Sequence, residues 1–297
     1  MEATIESYAE DIKSQVAERL GAGYEVSIRK VTKNNGVTLT GLVARRDGEN
    51  VSPTIYLDGF YEDRRWDAAD EIADVCIRSA SFKGGDITEK VTDAAFARER
   101  LCYRLVNMEK NAELLERVPH RDFLDLGIVY YLSVDAGKGS QASILVDSRM
   151  ARGWGMDEAE MYKIAKENTP RLFPAESGGL ADVLRGMLGG LFTGDGGPDL
   201  RIVTNKGKFY GAAVILYDGV LEAEAERAGG DIFVLPSSVH EVLVLKKEDG
   251  FGVEGMAAMI REINESEVSP EEVLSDSLYC YSKERGLWIA GEEEDEG

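Results

Sequence analysis

Histidine is nearly missing from this chain: there are two in 297 residues, His120 and His240. The patterns HxH, HxxxH and HExxH are all absent, which removes the imidazole-rich metal sites. A carboxylate-only magnesium or calcium site stays open in so acidic a sequence, but no EF-hand pattern supports one. No metal and no cofactor are therefore expected. Cysteine is as sparse. Cys76, Cys102 and Cys280 are odd in number, far apart and set among apolar neighbours, with no CxxC pair. That excludes a zinc knuckle and a disulfide framework and fits reduced core thiols in a cytosolic protein.

Positive charge is scarce too: 34 Lys and Arg stand against 55 Asp and Glu, a net charge of −21. Such a field repels phosphate backbones and anionic headgroups, so neither nucleic acid nor membrane is expected as a partner. The opening MEATIESYAEDIK carries acids where a secretory leader carries bases and an apolar run, so the expected location is the cytoplasm. The apolar runs Leu126 to Leu132 and Ala212 to Tyr217 fall far short of the ~20 residues of a membrane span and read as buried strands.

What is present reads as an α+β protein with mostly antiparallel strands. Ile5, Tyr8, Ala9, Ile12, Val16, Ala17 and Leu20 follow helical spacing, ended by Gly21 and Gly23. Strand-like runs follow at Tyr24 to Val31, Val37 to Arg45 and Val51 to Leu57, with turns at Asn34-Asn35-Gly36 and Asp47-Gly48. Ala69, Ile72, Ala73, Cys76 and Ala80 form one face of a second helix, and Lys83 to Asp86 an exit loop. Residues 1–85 are thus predicted to be an α-β-β-β-α module, and tight turns require its strands to be antiparallel.

Residues 90–290 are predicted to be a larger α+β domain. The expected elements are a short helix near 92–99, a strand at 101–106, a helix at 109–117, a long strand from Phe123 to Val134 and a returning strand at 142–146. Asp157 with Glu160 has the form of a capping box for a helix running to Pro170. Strands are expected at 201–204, 209–216, 231–235, 239–245 and 278–281, and helices at 220–228 and 253–263. Ser269-Pro270-Glu271-Glu272 reads as a further helix start. Residues 176–198 form a glycine-rich insertion in which Leu180, Val183, Leu184, Met187, Leu188 and Leu191 nonetheless line one helical face. That stripe is expected to be covered, by the protein's own core or by a partner. Residues 291–297 are an acidic tail.

Five stretches carry a family resemblance. They are Ser27 to Asn35 (SIRKVTKNN), Ser52 to Leu57 (SPTIYL), Pro119 to Asp125 (PHRDFLD), Lys166 to Pro170 (KENTP) and Leu235 to Val242 (LPSSVHEV). In this order they resemble the bacterial domain of unknown function 5688. A more distant likeness to the uncharacterised family numbered 1444 runs from the Tyr130 strand through the Asn168 helix, and again from Ala212 to Tyr281. The resemblance implies a bacterial cytosolic protein and supplies no catalytic residues.

Function has to be sought in side chains. Gly137-Lys138-Gly139-Ser140 lacks the GxxxxGK[ST] spacing and sits between two strands, so it reads as a hairpin turn. Lys30 and Lys33, with Arg29, Arg45 and Arg46 nearby, make the Asn34-Asn35-Gly36 tip the densest basic region, which reads as a solvated hairpin. Each histidine follows a proline turn at the start of a strand candidate and has an acid close by in sequence: His120 with Asp122, His240 with Glu241. Ser237 and Ser238 add hydroxyls to the second. A Ser/His/acid hydrolase needs those types within hydrogen-bond reach, but GxSxG is absent. The competing reading makes both histidines structural groups at strand starts. With no recognisable catalytic constellation and a surplus of acid, the expectation is a non-enzymatic binding protein whose partner is another protein or a second copy. The alternative is a hydrolase centred on Pro236 to Glu241.

Overall fold

The computed structural model of the chain describes residues 4–48, 52, 54–79, 90–137, 140–179, 200–247 and 252–291. The first helix, α1 (Ile5–Leu20), starts at a capping box between Thr4 and Ser7 and stops at Gly21, whose φ of 72° suits glycine. Its buried stripe, Tyr8, Ala9, Ile12 and Val16, packs on Leu42, Ala44, Leu57, Ile72 and Cys76. The strands β1 (Tyr24–Thr32), β2 (Thr38–Arg46) and β3 (Thr54–Tyr56) pair antiparallel in that order, as the turns require. A short helix not foreseen, α2 (Asp58–Glu62), precedes α3 (Ala69–Ser79). Ala80 and the predicted exit loop lie outside the described residues. The β1–β2 tip is a 3₁₀ turn over Asn34–Gly36 in which Asn35 takes the left-handed conformation, φ 59°.

A second sheet follows. After α4 (Ala94–Arg100), β4 (Leu101–Asn107) and β5 (His120–Phe123) flank β6 (Leu126–Gly137), and β7 (Ser140–Leu145) pairs with the far half of β6. The single strand expected from Phe123 to Val134 is therefore two strands. Phe123 pairs with Leu126, leaving Leu124 and Asp125 as a two-residue turn with Leu124 at φ 55°. The apolar side chain of Leu124 hid that turn from the sequence. The helix expected over 109–117 shrinks to α5 (Ala112–Leu115). After α6 (Ser148–Trp154), Asp157 caps α7 (Glu158–Leu172) by accepting from the Glu160 amide at 2.8 Å. The Glu160 carboxylate reaches Arg98, at 2.5 Å, and Pro170 sits inside the last turn without ending the helix.

The third sheet runs β13-β12-β10-β11-β9-β8, antiparallel throughout. Its strands are β8 (Ala175–Gly179), β9 (Arg201–Asn205), β10 (Ile232–Leu235), β11 (Val242–Lys246), β12 (Tyr279–Ser282) and β13 (Gly286–Ile289). The helices α8 (Val220–Ala228) and α9 (Val253–Ser266) lie between strands of this sheet in sequence. Three expectations are corrected here. The run 209–216 is no strand: Gly211–Leu216 forms a 3₁₀ helix whose residues Ala212 to Ile215 are buried between the second and third sheets. An apolar run of this length has no periodicity to separate the two. Ser269 to Glu272 makes one turn, with Glu272 N to Ser269 O at 2.7 Å, and starts no helix. The chain is drawn off at once, because Val273 bridges Ser238 and the Leu274 and Ser275 amides donate to Ser237 O and Pro236 O. The strand expected from Val239 begins only at Val242. The stripe from Leu180 to Leu191 lies outside the described residues, as does the acidic tail from 292 onward.

Candidate functional site

The tip of the β1–β2 hairpin is docked rather than solvated. Asn34 Nδ2 donates to Glu271 O at 2.8 Å, and Asn35 Nδ2 donates to Pro270 O at 2.8 Å and Val273 O at 2.7 Å. Asn111 completes the seam: its Oδ1 accepts from the Asn35 amide at 2.9 Å and its Nδ2 donates to Asn35 Oδ1 at 2.8 Å. Beside this seam a cleft of about 840 Å³ opens between the tip and the second and third sheets. Thr32, Lys33 and Thr38 line one wall, Arg104 and Val106 of β4 the floor, and Tyr210, Val239, His240 and Glu272 the far side.

The floor is unusual. Strand residues alternate between faces, so Arg104 shares a face with Cys102 and Val106, both wholly buried. Its cross-strand partner is Val129, also wholly buried. The guanidinium lies 4.4 Å from the centre of the Tyr210 ring, and the His240 ring is parallel to Tyr210 within 6° at 6.1 Å. Tyr210 itself is held at φ 52°, a left-handed conformation costly for a bulky side chain. Tyr131 packs edge-on against it at 5.3 Å and Ser143 Oγ is 3.2 Å from its hydroxyl. Gly211 follows it because nothing larger fits. A Cβ there would lie 2.0 Å from Thr204 Oγ1 and 2.2 Å from His240 O.

His240 is fixed through its backbone. Its carbonyl accepts from Thr204 Oγ1 at 2.7 Å and its amide donates to Ser238 Oγ at 3.1 Å. The acid at the imidazole is Glu272, with Oε1 3.4 Å from Nε2, and not the sequence neighbour Glu241. Ser237 and Ser238 are buried in the turn; the Ser238 hydroxyl serves the His240 amide. His120 is away from the cleft, at the start of β5. Its Nδ1 is 3.1 Å from Val118 O and its Nε2 is 3.8 Å from Asp122 Oδ1. The two histidine groups are thus separate, and the second borders the cleft.

Among the described residues, five buried side-chain polar atoms have no hydrogen-bond partner, and three of them belong to cleft residues: Asn34 Oδ1, Arg104 Nε and His240 Nδ1. Buried groups are paired almost without exception, so this concentration singles out the cleft as the candidate site. Sequence reasoning missed both Arg104 and Tyr210. A signal for the first was present, since Arg104 is the one charge in the apolar run Leu101 to Val106. Tyr210 carried none, because its left-handed backbone has no mark in sequence. No group of three or more His, Cys, Asp or Glu suited to a metal ion occurs among the described residues, and none of their helices is long and apolar enough to cross a membrane.

Comparison with known proteins agrees with the landmark stretches. The model of the Family of unknown function (DUF5688) matches residues 5–283, and the chain belongs to that family. The more distant likeness to the family numbered 1444 gains no support from that match. No curated protein and no solved structure matches the chain.

Proposed function

Taking membership of DUF5688 as the premise, we propose that this chain is a non-enzymatic binding protein of the bacterial cytosol whose ligand enters the cleft between the hairpin tip and the second and third sheets. The observation that supports this most is that three residues lining one cavity each carry a buried polar atom without a partner. The volume, about 840 Å³, is that of a small-molecule site. The arrangement around His240 favours binding over hydrolysis. A triad needs a hydroxyl on one imidazole nitrogen and an acid on the other. Here Glu272 is at Nε2, while Nδ1 is buried without a partner. The net charge of −21 speaks against nucleic acid as the ligand.

The test is native mass spectrometry of the chain purified from its host, beside Thr38→Trp, which puts an indole at the cleft wall. A small molecule retained by the unaltered chain and lost from the variant is the expected result. The rival is tested with p-nitrophenyl acetate. Turnover that disappears in both His240→Gln and Ser238→Ala would establish the hydrolase and end the binding reading.

A further inference from the structure

From the chemistry of the cleft floor we infer that the ligand is an amphiphilic oxyanion, a carboxylate or phosphate head on an apolar body, with Arg104 as its counter-charge. The inference rests on the binding reading above and adds the ligand's class. Two other strand arginines are neutralised by the chain's own carboxylates. Arg201 meets the buried Glu224 at 3.0 Å, and Arg121 makes a two-pronged pair with Glu158 at 3.0 and 2.9 Å. Arg104 differs from both: among the described residues no carboxylate forms an ion pair with it. It stands on an apolar sheet face, its Nε is buried without an acceptor, and its neighbour is the Tyr210 ring, which offers a π-face. The guanidinium is half-buried, and an incoming oxyanion would both pair with its charge and satisfy the buried Nε–H.

The remaining charges do not supply a counter-ion. Lys110, Glu109, Glu113 and Arg117 line the cleft from its exposed rim, Lys33 lies over the Tyr56 ring, Glu271 is half-buried beside the hairpin tip without an ion pair to Arg104, and Glu272 is engaged with His240. One of the orphan atoms suits the same ligand: Arg104 Nε–H needs an acceptor. The body of the ligand meets Leu145, Phe209 and Val239, which line the same space. A guanidinium is the group best matched to a planar carboxylate or a phosphate, because its donors form a rigid fork.

The experiment titrates the full chain with benzoate, its neutral isostere benzamide, the cation benzylamine, and inorganic phosphate, following tyrosine and tryptophan fluorescence and backbone amide shifts. Benzoate should bind with a Kd of roughly millimolar order, as a fragment of its size can, and benzamide and benzylamine at least about tenfold more weakly. Phosphate binding without benzoate binding would assign the head to phosphate and confine the inference to that class. Arg104→Gln should abolish the preference for benzoate over benzamide, Arg104→Lys should keep part of it, and Arg149→Gln, on an exposed arginine outside the cleft, should change nothing. Should Arg104→Gln fail to fold, the ligand series on the unaltered chain decides alone. Equal binding of benzoate and benzamide, both blocked by Thr38→Trp, overturns the oxyanion inference and leaves the binding cleft standing. Absence of binding by all four probes overturns the inference as well. The binding reading falls separately, if no small molecule is retained in the native mass spectrum.

Discussion

Gly211→Ala tests how the wall of the cleft is built. The added methyl would sit 2.0 Å from Thr204 Oγ1, 2.2 Å from His240 O and 3.0 Å from the Asn205 amide nitrogen. Only the first of these is a side chain able to rotate. The His240 carbonyl is backbone and must move by about an ångström to reach ordinary contact, which also breaks the Thr204 to His240 hydrogen bond of 2.7 Å. Overpacking of this kind costs about 1–3 kcal/mol, and a lost buried hydrogen bond adds about 1 kcal/mol. The expected destabilisation is thus roughly 2–4 kcal/mol. At about 2–4 °C per kcal/mol for a chain of this size class, the melting temperature should drop by roughly 5–15 °C. The assay is calorimetry with urea unfolding beside it, and Gly59→Ala is the control. Gly59 lies in α2 with open space around its Cβ position, so alanine there should be neutral or gain up to about 1 kcal/mol. A Gly211→Ala protein melting within a degree of the unaltered chain would refute the close approach of His240 to the 3₁₀ helix.

The docked tip makes a second prediction: Asn35→Ala removes three side-chain hydrogen bonds and puts a Cβ residue without a compensating amide at φ 59°, so a loss of about 2–4 kcal/mol is expected in urea unfolding. Asn35→Gly, which keeps the left-handed backbone, should lose less; equality of the two would mean that backbone strain contributes nothing. Burial pushes the Cys102 thiol up to about 12 and raises those of Cys76 and Cys280 as well. Native protein at pH 8 should therefore react with none of its three thiols on the timescale in which urea-unfolded protein reacts with all of them. The same shift sets an alkaline limit. An unfolded thiol ionises near the ordinary value of 9.0 while the folded one stays protonated to about 12. Stability is full below pH 9 and falls across that window, by about 1.4 kcal/mol per pH unit from Cys102 alone. A flat stability profile from pH 8.5 to 10.5 would contradict it.

Much of the frame was legible because local chemistry and tertiary packing agree there. The stripe of α1, the Asn34-Asn35-Gly36 turn and the order of three antiparallel strands each follow from a period or a turn residue that the structure uses as expected. Legibility fails where burial is complete on all sides. The segment 211–216 is apolar throughout, and a 3₁₀ helix enclosed between two sheets leaves the same composition as a central strand. It fails again where a turn residue has a second use. Asn34 and Asn35 are good turn formers, which explains them fully at the level of sequence, yet their amides also hold Pro270, Glu271 and Val273. The helix-start signature at Ser269 fails for the same long-range reason, since the segment after it is claimed by Pro236 and Ser237.

The cleft lies where those failures meet, and Arg104 shows what a sequence can still offer there. In LCYRLVN the period of two by itself assigns Arg104 to the face of Cys102 and Val106. A cation on a face that apolar neighbours define as buried needs a counter-charge, and the search for one is a question that sequence can pose but not answer. For Arg121 and Arg201 the answer is internal, from Glu158 and Glu224, residues 37 and 23 positions away. For Arg104 the fold brings an aromatic ring with an imidazole stacked beyond it, and among the described residues no carboxylate close enough for an ion pair. Replacing an unpaired guanidinium on an apolar face by methionine keeps the packing volume and removes the charge. If Arg104 served stability alone, through its contact with the Tyr210 ring, Arg104→Met would melt below the unaltered chain and lose nothing else. If it serves a ligand, the same variant becomes more stable and loses benzoate binding together. The second outcome is expected, and a variant that is destabilised while still binding benzoate would refute it.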